Sequence, residues 1–167
     1  MTKIYKNEKI YRYIFIVDSI ILLSSNTFQG KQVEEAHSLN KVKEQLQILI
    51  AESESDLLTL FREYLSSLGI KTETACSGHE AMEQFLNSEE NERSYDAIVL
   101  DTHLLNPSGL DIAKRIHSQK PNQKLVLVTT TPKENLQQEC LKTAGILDRD
   151  ILTIPFRMSK LGSLLKD

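Results

Sequence analysis

Residues 95–109 read Y-D-A-I-V-L-D-T-H-L-L-N-P-S-G. Within them, Ala97-Ile98-Val99-Leu100 is short, apolar and partly β-branched, with no polar alternation. Such a run reads as a strand buried on both faces, the kind found inside a parallel sheet. It stops at Asp101, where a turn-rich loop begins. In open α/β sheets ligands gather beyond the carboxyl ends of the strands, so Asp101 stands where chemistry is expected. On position alone the carboxylate has two readings: a reactive group, or a residue that only closes the strand and bonds loop amides.

The same grammar extends on both sides. Ile48-Leu49-Ile50-Ala51 is a second buried strand, ending at Glu52. Ser53 is placed to cap a helix with Asp56 in its first turn, whose apolar face is Leu57, Leu58, Phe61, Tyr64, Leu65 and Leu68, and which Gly69 stops. Residues 71–76 alternate as a strand. Ser77-Gly78-His79-Glu80 reads as a capping box for a helix through Ala81, Met82, Phe85 and Leu86. Residues 87–94 read as a polar loop, with Glu89-Glu90-Asn91-Glu92 a solvated run. Beyond the Asp101 loop, Ser108 caps a third helix bearing Leu110, Ile112, Ala113 and Ile116. Leu125-Val126-Leu127-Val128 is the fourth strand and ends at Thr129. Thr131-Pro132-Lys133-Glu134 joins an N-cap, a first-turn proline and an N3 glutamate, which predicts a fourth helix to about Ala144. Ile151-Leu152-Thr153-Ile154 is a fifth strand, and Met158, Leu161, Leu164 and Leu165 mark a last helix.

Five such βα units predict an α/β, doubly wound, five-stranded parallel sheet with helices on both faces, in the flavodoxin-like order 2-1-3-4-5. No glycine-rich nucleotide loop follows any strand, which disfavours nucleotide-binding versions of the fold.

The chain of 167 residues is 40% hydrophobic and 26% charged, values of an ordinary globular domain with an appendage. A net charge of −3 without a basic block argues against nucleic-acid binding. Cys76 and Cys140 fit no metal spacing and read as buried structural thiols in a reducing compartment, which suits the cytoplasm. Residues 1–45 differ from the rest: seven Lys/Arg against five Asp/Glu give them a net +2. Lys3, Lys6, Lys9 and Arg12 precede an apolar run over 13–23 that superficially resembles a signal peptide. Asp18 interrupts that run, no A-x-A site follows, and it is shorter than the ~20 residues that span a bilayer. No membrane partner is expected. The stretches 14–17 and 20–23 fit strand or helix, and 31–45 a modest helix. The division is therefore an N-terminal extension over 1–45, partly disordered or helical, and a folded domain over 46–167. The extension reads as a poorly ordered addition in preference to a partner-binding arm.

With strand order 2-1-3-4-5, strands one and three flank the switch point and bring Glu52, Ser53 and Asp101 together. Strands four and five add Thr129, Thr130 and Ile154. Two carboxylates facing each other across a crevice repel unless a cation or proton lies between them. Hard oxygen ligands of this kind suit Mg²⁺, and a metal beside a carboxylate and a hydroxyl is a phosphoryl site.

At this point the sequence resembles the response-regulator receiver domain, the CheY-like fold of two-component signalling. The resemblance runs from Leu46 to about Asp167. Its carriers are I-L-I-A-E-S-E-S-D-L-L at 48–58, Y-D-A-I-V-L-D-T-H-L-L-N-P-S-G-L-D at 95–111, V-T-T-T at 128–131 and I-P-F at 154–156. It implies that Asp101 accepts a phosphoryl group, that Thr129 contacts it and switches, and that Mg²⁺ sits at Glu52, Asp101 and the His103 backbone carbonyl. It implies a histidine kinase or phosphotransfer protein as donor and a downstream protein as target. At most, the domain phosphorylates or dephosphorylates itself slowly, and it is not otherwise an enzyme. No output domain is expected after the last helix.

The match has gaps. Ser53 stands where the family carries a second acid, Ile154 where it carries a lysine, Ile151 where it carries an aromatic switch residue, and Thr130 where it usually has Ala or Gly. Two residues are extra between Gly145 and Pro155. These departures motivate an alternative reading, a degenerate receiver acting as a phosphorylation-independent interaction module. A metal-dependent hydrolase would need a second carboxylate in the D-T-H loop and is disfavoured.

Overall fold

A computed structural model describes residues 45–166. The readings made for positions 1–44 lie outside the described residues. Five strands alternate with five helices: β1 (Gln47–Ala51), α1 (Ser55–Ser67), β2 (Lys71–Ala75), α2 (Gly78–Glu90), β3 (Ala97–Asp101), α3 (Gly109–Gln119), β4 (Lys124–Thr129), α4 (Gln138–Thr143), β5 (Ile151–Thr153) and α5 (Met158–Lys166). The strands form one parallel sheet in the order β2-β1-β3-β4-β5, as the sequence predicts.

The apolar runs lack polar alternation because both faces of the sheet are covered. Leu49, Ala51, Ile98, Leu100, Leu125, Leu127 and Ile151 pack with Ala81, Phe85, Ile112, Ile116 and Leu141 from α2, α3 and α4. The intervening residues, Ile48, Ile50, Ala97, Val99, Val126, Val128 and Leu152, pack with Leu57, Phe61, Leu65, Leu161 and Leu165 from α1 and α5. The two-residue period of a strand thus splits each run between two cores. At the amino end of the sheet, the Gln45 amide donates to the Gly69 carbonyl at 2.8 Å. At the same end the Tyr95 hydroxyl donates to Glu73 Oε2 at 2.5 Å, and the Gln123 amide donates to the Tyr95 carbonyl at 3.0 Å.

Several local expectations need correcting. Ser53 does not cap α1: the N-cap is Glu54, with no side-chain cap hydrogen bond, and its backbone N–H donates to Glu52 Oε1 at 2.9 Å. The helix therefore starts one residue later than a serine cap at position 53 predicts. At α2, Ser77 accepts from the Glu80 N–H, but Glu80 reaches back to the Cys76 N–H and so grips one residue before the cap. The polar stretch read as a loop is helical as far as Glu90, because Ser88 is buried and Glu89 pairs at 2.8 Å with Lys120, just past the end of the neighbouring α3. The single fourth helix is instead a 3-10 turn, Lys133–Asn135, and the short α4. Leu136 and Gln137 between them are extended, and Leu136 packs on the first core. Anchoring that side chain outweighs the local start signal at Thr131, whose own N–H donates to Thr129 Oγ1. Neither thiol is fully buried: Cys76 is exposed and Cys140 half-buried. Among the described residues no helix is long and apolar enough to cross a membrane.

Candidate functional site

β3 delivers Asp101 to the carboxyl edge of the sheet, paired in register with Val128 of β4. The next residue continues the ladder, its N–H bonding the Val128 carbonyl at 2.9 Å. The loop that follows is held close by two glycines. A Cβ on Gly109 would lie 2.0 Å from the Asp101 carbonyl oxygen, so only glycine lets α3 start there. A Cβ on Gly78 would lie 2.0 Å from the Pro107 carbonyl oxygen, so the start of α2 closes on the same loop. Ser108 then caps α3, accepting from the Asp111 N–H at 3.2 Å and donating to Asp111 Oδ2 at 2.7 Å. That hydroxyl, followed in effect by Lys114, holds the Asp111 carboxyl below its ordinary range.

Asp101 is 6% exposed and Glu52, at the end of neighbouring β1, is 2% exposed. Burial first, and then the Asp101 charge, push the Glu52 carboxyl up to about 8. Among the described residues no lysine or arginine pairs with either acid. Ser53 is exposed. The oxygen donors that the strand ends bury together are the carboxylates of Glu52 and Asp101. Among the described residues no three acidic, histidine or cysteine side chains gather as a ready-made metal cage. That set suits Mg²⁺, which commonly keeps waters and takes one or two carboxylates with substrate phosphate. The charge conflict between the two buried acids is the feature a divalent cation relieves.

Thr129 is fully buried at the end of β4. Its Oγ1 receives the Thr102 hydroxyl at 2.9 Å and the Thr131 N–H at 3.0 Å. Among the described residues it makes no hydrogen bond to Asp101. The His103 ring does: Nδ1 lies 3.2 Å from Asp101 Oδ1, and Nε2 lies 3.3 Å from Thr130 Oγ1. Thr102 Oγ1 is a further 3.1 Å neighbour of Nδ1. Thr102 was not singled out by the sequence, where a threonine after a strand carries no distinctive signal. Ile154 is half-buried and packs on the second core, its N–H bonding the Thr129 carbonyl at 2.8 Å. Ile151 is buried in the first core.

A buried aspartate thus lies at the switch point of a five-stranded parallel sheet, with a second buried acid and a buried threonine at the ends of the neighbouring strands. Residues 48–166 match the response regulator receiver domain, and the chain belongs to that family. It is 27% identical over 118 residues to the transcriptional regulatory protein RprY of Bacteroides fragilis, covering 71% of this chain but only 47% of that one. It is 27% identical over 126 residues to two-component response regulator 24 of Arabidopsis thaliana, covering 75% and 86%. In fold it is similar to the response regulator TrrA of Thermotoga maritima, solved in complex with Mg²⁺ and BeF, with a TM-score of 0.62, 24% identity, and 73% and 97% of the two chains covered. The family is one of regulatory domains in phosphorelay signalling.

Proposed function

We propose that Asp101 is the phosphoacceptor and that this domain receives its phosphoryl group from the phosphohistidine of a kinase or phosphotransfer protein in the cytoplasm. The observation that carries this reading is the pair of buried carboxylates, Glu52 and Asp101, brought together from β1 and β3 without a lysine or arginine counter-ion among the described residues.

Asp101 Oδ1 faces His103, and Oδ2 has no hydrogen-bond partner among the described residues. An Asp101 oxygen attacks phosphorus in line. The new O–P bond forms as the P–N bond of the phosphohistidine breaks, and the electron pair of that bond stays on the departing imidazole nitrogen. Glu52, Asp101 and the His103 carbonyl would hold Mg²⁺, which would supply charge neutralisation for the transferring group. Glu52 would serve as a ligand in its carboxylate form, against the burial that favours its proton. Thr129, whose Oγ1 accepts from the Thr102 hydroxyl and the Thr131 N–H, donates its own hydroxyl hydrogen to the phosphoryl group. That new bond biases the surface around β4 and β5, and the downstream target is a protein that distinguishes the two states.

The test is incubation with Mg²⁺ and a small phosphodonor, and separately with a phosphohistidine protein, followed by intact-mass measurement. A hydroxylamine-cleavable phospho-adduct that is absent in Asp101→Asn is expected. No adduct from either donor would overturn the reading and leave the phosphorylation-independent interaction module in its place.

A further inference from the structure

A phosphoryl group on Asp101 brings about two negative charges into a pocket that already holds Glu52. A cation held there would answer part of that charge and the Thr129 hydroxyl would meet one oxygen, which leaves a phosphoryl oxygen for a further donor on the protein side. Ile154 cannot serve, since its side chain packs into the second core. Among the described residues the one side chain that hydrogen-bonds the Asp101 carboxylate is His103. A carboxylate only accepts, so Nδ1 carries the hydrogen directed at Oδ1, and Nε2 accepts from the Thr130 hydroxyl. The ring is thus tied at both nitrogens while its side chain is 52% exposed on the rim of the pocket. Thr130, where the family usually has Ala or Gly, is what holds the ring.

The geometry points to the His103 imidazole, positioned by Thr130, as the protein's N–H donor to the phosphoryl group on Asp101. This rests on the phosphoacceptor reading and adds to it a side-chain role for a residue otherwise contributing only its backbone carbonyl. When the phosphoryl group is in place, the Nδ1–H that now meets Oδ1 moves to a phosphoryl oxygen a bond further out. Thr130 keeps the ring from swinging into solvent. No proton changes owner: the imidazole donates a hydrogen bond to the oxygens on which charge accumulates.

The test is the rate of adduct formation from a small phosphodonor, measured against Mg²⁺ concentration. His103→Ala and His103→Leu are expected to slow it about ten-fold or more, the lower end of what a preorganised donor contributes. His103→Asn, which keeps an N–H near the Nδ1 position, is expected to stay within about three-fold of the parent. The Mg²⁺ concentration for half-maximal rate should not move, because every variant keeps the residue 103 carbonyl. Unchanged rates in both His103→Ala and His103→Leu, with the adduct still lost in Asp101→Asn, overturn the role of His103 and leave the phosphoacceptor reading standing. A slowed His103→Ala with a shifted Mg²⁺ midpoint and no recovery in His103→Asn overturns it too, since that pattern is a distorted loop. Absence of adduct in the parent removes both.

Discussion

The α-carbon of Gly109 is pressed against the backbone carbonyl of Asp101, so that an added methyl would stand 2.0 Å from the oxygen. The obstacle is backbone, not the end of a flexible side chain, and cannot swing aside. Gly109→Ala is expected to cost about 1–3 kcal/mol, as overpacking does, and to displace the acceptor. A lowered denaturation midpoint together with slower adduct formation checks it; an unchanged midpoint would show that α3 can start elsewhere.

Glu52 sets a pH dependence. Its carboxyl titrates at about 8 in the fold, against an ordinary value of 4.5. Between those values the folded state keeps a proton that the unfolded chain has released. Metal-free stability therefore falls as pH rises through the window, by at most about 1.4 kcal/mol per pH unit. Glu52→Gln should flatten that slope, and Mg²⁺ should raise the midpoint of the parent near pH 8 more than that of the variant. Denaturant titrations with and without Mg²⁺ at about pH 5 and about pH 8 give the comparison.

The start of α3 depends on a single hydroxyl, since Ser108 both accepts from the Asp111 N–H and donates to the Asp111 carboxylate. Ser108→Ala should cost about 1 kcal/mol. Ser108→Asp, which keeps an acceptor but sets a second charge beside Asp111, should recover only part. Thermal unfolding of the three proteins distinguishes them.

At the opposite end of the sheet, Tyr95→Phe removes the hydroxyl that meets Glu73 Oε2 at 2.5 Å. Glu73 keeps the Gln47 amide on its other oxygen at 3.0 Å, so a loss of about 1 kcal/mol is expected rather than that of a stranded charge. The adduct rate should be unaffected, which separates stability from chemistry in one variant.

The strands and their order were legible because each apolar run serves two cores and so carries no polar residue, while each helix shows its face every three to four positions. Glu52 and Asp101 were legible for a related reason: they are where those runs end. What failed was local capping chemistry set against long-range packing. Thr131 has every mark of a helix start, yet Leu136 must reach the first core, and the chain straightens to let it. Ser53 is a good cap by type, but α1 begins one residue further on, with Glu54 as its N-cap. His103 reads from sequence as a candidate phosphoryl partner but in preference as a plain loop side chain, since a spacing of two residues says nothing about which way that side chain turns; the structure sets its ring against Asp101.

β1 enters the domain next to Gln45 and delivers Glu52 to the pocket after five residues. At ~3.3 Å per residue, the strand separates its two ends by roughly 16 Å. The Gln45 anchor on Gly69 is thus on the floor of the molecule and the acceptor on its roof. A dye or surface tether attached at Gln45 hangs below the sheet, and a phosphodonor arriving from above meets Asp101 unobstructed by the attachment point. For single-molecule or immobilised phosphotransfer measurements, that strand is a built-in spacer.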